Sequence, residues 1–240
     1  SFYKDAQKAG LKPILGCELY LSLGPHKART KGYHHLTVLA KDDRGWKNLS
    51  KLTSVANLEG FYYRPRVDWE TLVQHKDGLV ILSGCLKGPV AEPLVQGREA
   101  DARAAAVKFK EVFGEDFYLE VQPNTLAEQR LVNDGCARLS RELGIKTAAT
   151  CDLHYVDPQD APAQEVRICI AQGNTISDPS RLQMKEDFFF RSSEQMAAAF
   201  RDQPEAILAT KEIAEKVTSY ELLPGKKNKY FLPRFTPPDG

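Results

Sequence analysis

The chain has 240 residues and a mass of 26.9 kDa, with 42% hydrophobic and 27% charged side chains. That is ordinary globular usage, enough for one large α/β domain or two small ones, and it excludes a disordered, collagen-like or coiled-coil chain. Its 33 basic and 32 acidic side chains leave a net charge of +1, so no bulk field announces a nucleic-acid binder. Five widely spaced cysteines without a CxxC pair argue against a secreted disulfide framework and predict a cytoplasmic protein. No apolar run of about 18 residues predicts a membrane span. The opening Ser-Phe-Tyr-Lys-Asp begins inside a helical pattern, which predicts a fragment whose upstream part is missing.

In chain order, residues 2–9 read as the tail of an amphipathic helix ended by Gly10. Residues 13–20 form a short apolar run holding a single acid, Glu18, as expected of a buried parallel strand. Residues 23–32 are a basic loop, and residues 35–40 a second strand. Asp42 or Asp43 then caps a helix reaching about Leu58, with Trp46, Leu49, Leu52 and Val55 on one face. Further strands are predicted at 78–84, 117–121 and 146–150. Further helices are predicted at about 100–113, 126–143, 158–171, 193–200 and 204–217. This alternation predicts βα units on a parallel sheet or barrel. Residues 1–218 are expected to form the domain, and residues 219–240, rich in Lys, Gly and Pro, a linker leaving it.

Parallel βα folds collect their chemistry at strand ends. Glu18 lies late in the first predicted strand, and His35 opens the second after His34. Cys85 follows the third, and Asp152 and His154 follow the last. Carboxylates bridge cations, imidazole takes zinc or manganese, and thiolate prefers zinc, so the set points to a metal. An Asp-x-His on an extended segment would aim both side chains to the same side. Each residue also has a plainer reading. Glu18 fits a hydrogen-bonded acid, Cys85 a small core residue, and Asp152 the cap of the next helix. One of His34 and His35 should face inward and the other outward. His26 and His75 are expected at the surface.

Several stretches together resemble the polymerase-and-histidinol-phosphatase (PHP) domain of bacterial DNA polymerase III alpha subunits. They are Lys12-Pro13-Ile14-Leu15-Gly16-Cys17-Glu18, His34-His35-Leu36-Thr37-Val38-Leu39-Ala40-Lys41, Glu59-Gly60-Phe61-Tyr62-Tyr63-Arg64-Pro65-Arg66, Phe117-Tyr118-Leu119-Glu120 and Asp152-Leu153-His154-Tyr155. Gly173 to Pro179 and the closing Leu232-Pro233-Arg234-Phe235 extend the likeness over nearly the whole chain. The resemblance implies an α/β fold, an irregular (βα)7 barrel whose rim binds up to three metal ions. The family's early His-x-His and Thr-Asp-His-Gly would lie upstream of Ser1, so the first barrel strands are expected to be missing.

By this resemblance Glu18, His35, Cys85, Asp152 and His154 match the family's later ligands, with two to three zinc or manganese ions in the intact site. His35 is the better match than His34. Glu18 and Asp152 would be catalytic by bridging metals, and Arg64, Arg66 and Lys87 would steady a DNA backbone or simply be solvated charges. The resemblance implies a replicative DNA polymerase whose PHP domain is a 3′–5′ exonuclease. Its palm, with magnesium, would lie downstream of Gly240. Its partners would be DNA, a proofreading subunit, the sliding clamp and the clamp loader, with no membrane. A scaffold that docks a separate proofreading subunit is the alternative. A small-molecule phosphatase fits the ligands but not the stretches at 59–66 and 173–179.

Overall fold

The structure, a computed structural model, describes residues 2–183, 187–220 and 222. It opens with helix α1 (Phe2–Lys8), then strands β1 (Gly16–Ser22) and β2 (Tyr33–Ala40). Helix α2 (Asp43–Leu58) follows, started by Asp42, whose side chain accepts from the Gly45 amide at 2.8 Å. Next come β3 (Phe61–Tyr62), β4 (Arg64–Val67), α3 (Trp69–Gln74) and β5 (Leu79–Leu82). The remainder is α4 (Ala91–Val95), α5 (Glu99–Phe113), β6 (Phe117–Val121), α6 (Ala127–Leu143), β7 (Thr147–Ala149), α7 (Ala161–Gln172), α8 (Ser193–Ala199) and α9 (Pro204–Lys216). α6 ends on Gly144 in the left-handed conformation, where glycine carries no Cβ penalty.

Strands join in the order β3-β4-β1-β2-β5-β6-β7. Here the structure corrects the expected parallel sheet. β1–β4, β5–β6 and β6–β7 are parallel, but β2 runs antiparallel to both β1 and β5. Only residues 23–32 connect β1 to β2, too short a span for the helical crossover that parallel neighbours need. The reversal has a consequence for the site. The first residues of β2 lie at the same rim as the last residues of β1, β5, β6 and β7. β1 is also less buried than expected, because Glu18 stays exposed and only Leu19, Leu21 and Ser22 are enclosed. β3, β4, α3 and α4, two to six residues each, were not predicted.

One sheet face forms the main core. Leu19, Leu21, Leu36, Val38 and Ile81 pack with Leu49 and Leu52 of α2. Trp69, Phe109 and Phe117 extend it, with ring centroids 4.9 and 5.1 Å apart. Each Leu or Ile buried here contributes about 2 kcal/mol. On the other face Leu39, Val80, Leu82, Tyr118 and Ala148 pack under Ala209 and Ile213 of α9. The Tyr118 hydroxyl donates to Glu212 of that helix at 2.7 Å. α9 thus covers one end of this face. Two residues further along the strands, the side chains on the same face become polar.

The loop 23–32 is fastened from beneath. Arg66 is 1% exposed. Its guanidinium donates to the carbonyls of Gly60 (3.2 Å), Thr30 (2.5 Å), His26 (3.0 Å) and Ala28 (2.9 Å). This corrects its expected role: a buried cation spent on four carbonyls is not a DNA contact. His26, expected at the surface, is buried with Nδ1 2.6 Å from Asp68 Oδ2. Packing also runs past residue 218. Tyr220 is buried and its hydroxyl donates to the Ala40 carbonyl at 2.6 Å. Residues 221 and 223–240 of the expected linker, the 232–235 stretch among them, lie outside the described residues.

Two stability outcomes follow. Arg66→Ala leaves the carbonyls of His26, Ala28 and Thr30 without this partner and is expected to cost about 3 kcal/mol, read by urea denaturation. Burial pushes the Asp68 carboxyl up, but donors from Thr71 and His26 outweigh it and hold the group well below the carboxylate range. A lowered folded-state pKa stabilises above the unfolded value of about 3.9 and is lost as pH falls below it. Wild type should therefore lose stability below about pH 4 more steeply than Asp68→Asn, read by melting at stepped pH.

Candidate metal centre

Strand alternation sets Glu18, Tyr20 and Ser22 on the inner face of β1, opposite Thr37, His35 and Tyr33 of β2. Glu18 Oε1 lies 2.8 Å from His35 Nδ1, and that hydrogen bond holds the Glu18 carboxyl below its usual range. Cys85 Sγ stands 3.5 Å from the same His35 nitrogen. Burial pushes the Cys85 thiol up to about 12, so without a cation it stays protonated. Gly84 permits this approach: it has φ +82°, and a Cβ there would sit 2.3 Å from the His35 carbonyl. The neighbouring His34 faces the opposite side of the sheet, with Nδ1 3.0 Å from Glu92.

Asp152 and His154 join from the segment after β7. The structure corrects their expected geometry. Asp152 has φ +48°, so the chain turns left-handed there instead of staying extended. Asp is one of the few residues that enters this region at modest cost. His154 Nδ1 contacts the Asp152 carbonyl at 2.6 Å and its Oδ1 at 3.9 Å. The His154 ring meets Phe188 edge-on at 5.5 Å. Burial raises the Asp152 carboxyl, His154 and His35 lower it, and Glu18 raises it. Glu18 in turn feels His154. The five side chains therefore form one electrostatic unit drawn from four places in the chain.

Behind them lies Glu120, a residue to which the sequence alone assigns no role. It is fully enclosed on β6. Oε1 accepts from Thr150 Oγ1 (2.6 Å) and Gln122 Nε2 (3.2 Å). Oε2 accepts from Thr37 Oγ1 (3.0 Å) and the Gly84 amide (3.1 Å). Burial raises its pKa and the donors from Thr150, Gln122 and Thr37 oppose that. The available signal was an acid in the middle of the apolar run Phe-Tyr-Leu-Glu-Val, since a buried acid needs partners.

Two carboxylates, two imidazoles and a thiol suit zinc or manganese by donor chemistry. His35 Nδ1 already stands beside two other donors. Among the described residues no three such groups are yet gathered around one point. Of the expected backbone contacts, Lys87 is exposed, and its carbonyl accepts from the His35 amide at 3.0 Å. Arg64 is exposed and near enough to Tyr20 to bias that phenol toward ionisation against its burial.

Comparison with known proteins bears on this rim. A family model described as the PHP domain matches residues 1–124. DNA polymerase III subunit alpha of Borreliella burgdorferi is 43% identical over 227 residues, covering 92% of this chain and 20% of that protein. The subunits named alike from Helicobacter pylori (strain 26695) and Aquifex aeolicus are 39% and 37% identical, covering 98% and 99% of this chain and 20% and 22% of theirs. The chain thus spans about a fifth of the length of the curated relatives it matches. The open α/β sheet agrees with a barrel of this type lacking its early strands. Among the described residues no helix is long and apolar enough to cross a membrane.

Glu120→Ala, which strips four donors of their acceptor, is expected to cost about 3 kcal/mol, and Glu120→Gln clearly less, both read by urea denaturation.

Proposed function

The chain belongs to the PHP domain family, and from that premise we propose that it is part of a bacterial replicative DNA polymerase alpha subunit in which this domain hydrolyses the 3′ end of DNA. The observation that supports the reading is the contact of Glu18 and Cys85 with His35 at one rim, with Asp152 and His154 near enough to interact electrostatically with Glu18. Glu18 and Asp152 would hold the cations with their carboxylates, and His35, Cys85 and His154 with nitrogen and sulfur. Bound zinc or manganese would supply water activation and charge stabilisation on a phosphodiester. Glu18 is held in its ionised form by His35, ready to accept a cation. Cys85 would have to lose its proton on loading, which makes metal uptake pH-dependent.

The polymerase activity and its magnesium would belong to the rest of the protein, acting in the cytoplasm with DNA and the replicase subunits. A second reading, a scaffold that docks a separate proofreading subunit, is favoured by one observation. Glu18 is paired with His35, and His154 with the Asp152 main-chain carbonyl, instead of all donors gathering about a point.

Metal analysis of the full-length protein separates the two. About two to three zinc or manganese ions per chain are expected. Asp152→Ala with His154→Ala should lose them and slow release of 3′-terminal nucleotides on the order of a hundredfold, with polymerisation retained. A wild-type protein that binds no metal leaves only the scaffold.

A further inference from the structure

A small cavity lies beside the candidate metal centre. It holds about 240 Å3 and is walled by Lys31, Tyr33, Tyr62, Tyr63 and Arg64 together with the buried Arg66. No carboxylate lines it. Lys31 and Arg64 are exposed, and among the described residues neither is paired with an acid. The larger cavity of about 670 Å3 behind His34 is different, with Asp68, Glu70, Glu92 and Asp101 outnumbering Arg98 and Lys108 in its wall. The small cavity suits an anion and the large one does not.

The tyrosines are not explained by packing. Tyr63 forms the tip of the β3–β4 hairpin, is 69% exposed and has φ +59°. A bulky residue in the left-handed region stores strain, and burial returns little here. Its ring sits 4.7 Å from Tyr62, edge to face, with Lys31 Nζ 5.2 Å from its centroid. Tyr33, at the back of the cavity, lies 4.6 Å from Tyr20 and parallel within 4° to His35, at 5.8 Å. Aromatic rings from the hairpin and from β2 therefore line one cavity, and those on β2 reach a candidate metal ligand.

Aromatic faces interleaved with free cations are what holds single-stranded nucleic acid: rings stack bases and cations meet phosphates. A volume below the ~300–1,000 Å3 of small-molecule sites admits one base and leaves the sugar-phosphate outside. We propose that this cavity is a base-stacking subsite for the end of a nucleic-acid single strand, with Lys31 and Arg64 on its backbone. Its alignment with the rim rests on the hydrolytic reading above; the binding itself does not.

The test is photocrosslinking of the full-length protein to an oligodeoxynucleotide with 5-iododeoxyuridine near its 3′ end, in EDTA, with adducts mapped by peptide mass spectrometry. Adducts are expected on Tyr33, Tyr62 or Tyr63, and about tenfold fewer in Arg64→Ala and Tyr63→Gly. Tyr63→Gly should melt no lower than wild type, because glycine takes φ +59° freely. A purely structural tyrosine would not pair intact stability with lost adducts. Adducts that avoid all three tyrosines overturn the subsite. So does equal adduct yield from free 5-iododeoxyuridine monophosphate, which would mark a mononucleotide site. Adducts that persist in a protein lacking nuclease activity uphold the subsite and sink the hydrolytic reading. Nuclease activity without these adducts does the reverse.

Discussion

Glu120 sits where a carboxylate is expensive, enclosed within the sheet and away from water. Two donors on each oxygen offset that cost. They come from β2, from the turn after β5, from just beyond β6 and from the segment after β7, and the first, second and last of these also deliver His35, Cys85 and Asp152. The rim's geometry is thus set from below. A hydrophobic residue at this position would pack, but it would leave the Gly84 amide without its acceptor and remove one of the bonds that fix the loop carrying Cys85.

The inner face is layered for this purpose. Leu39, Val80, Leu82, Tyr118 and Ala148 form an apolar floor under α9. One strand period onward come Thr37, Gly84, Glu120 and Thr150, and beyond them the titratable rim. A period of two residues on every strand produces each layer from the same repeating geometry. The order matters electrostatically. The dry floor and half-buried rim raise Asp152 and Cys85, while direct contact with His35 lowers Glu18. The two neighbouring carboxylates, Glu18 and Asp152, are therefore pushed in opposite directions by their surroundings.

Much of this was legible in the sequence. β6 begins and ends at the expected residues, α6 ends at Gly144, and Asp42 caps α2, because each rests on local chemistry that a strand, a glycine or an N-cap carries with it. What was not legible is tertiary. The direction of β2 depended on the length of the 23–32 connection. β3 and β4 are too short, and too interrupted by Pro65, to show a period. Arg66 reads as surface charge in Arg-Pro-Arg, and only the folded loop supplies its four carbonyls. The left-handed turn at Asp152 leaves no periodic trace, so the extended Asp-x-His was a fair inference from spacing and a wrong one.

Arg66 also helps hold the phase of the β1–β2 pair. It fastens the connecting loop together with the His26–Asp68 contact, while the buried apolar alternation of β2 fixes the register from the other face. Because His34 and His35 are adjacent, a slide of one residue would still present an imidazole to the rim. It would, however, carry Leu36 into the polar layer and aim Tyr33 at the acidic cavity. The choice between two adjacent histidines is therefore held jointly, by the buried alternation of β2 and by the guanidinium and carboxylate that fasten the loop beneath it.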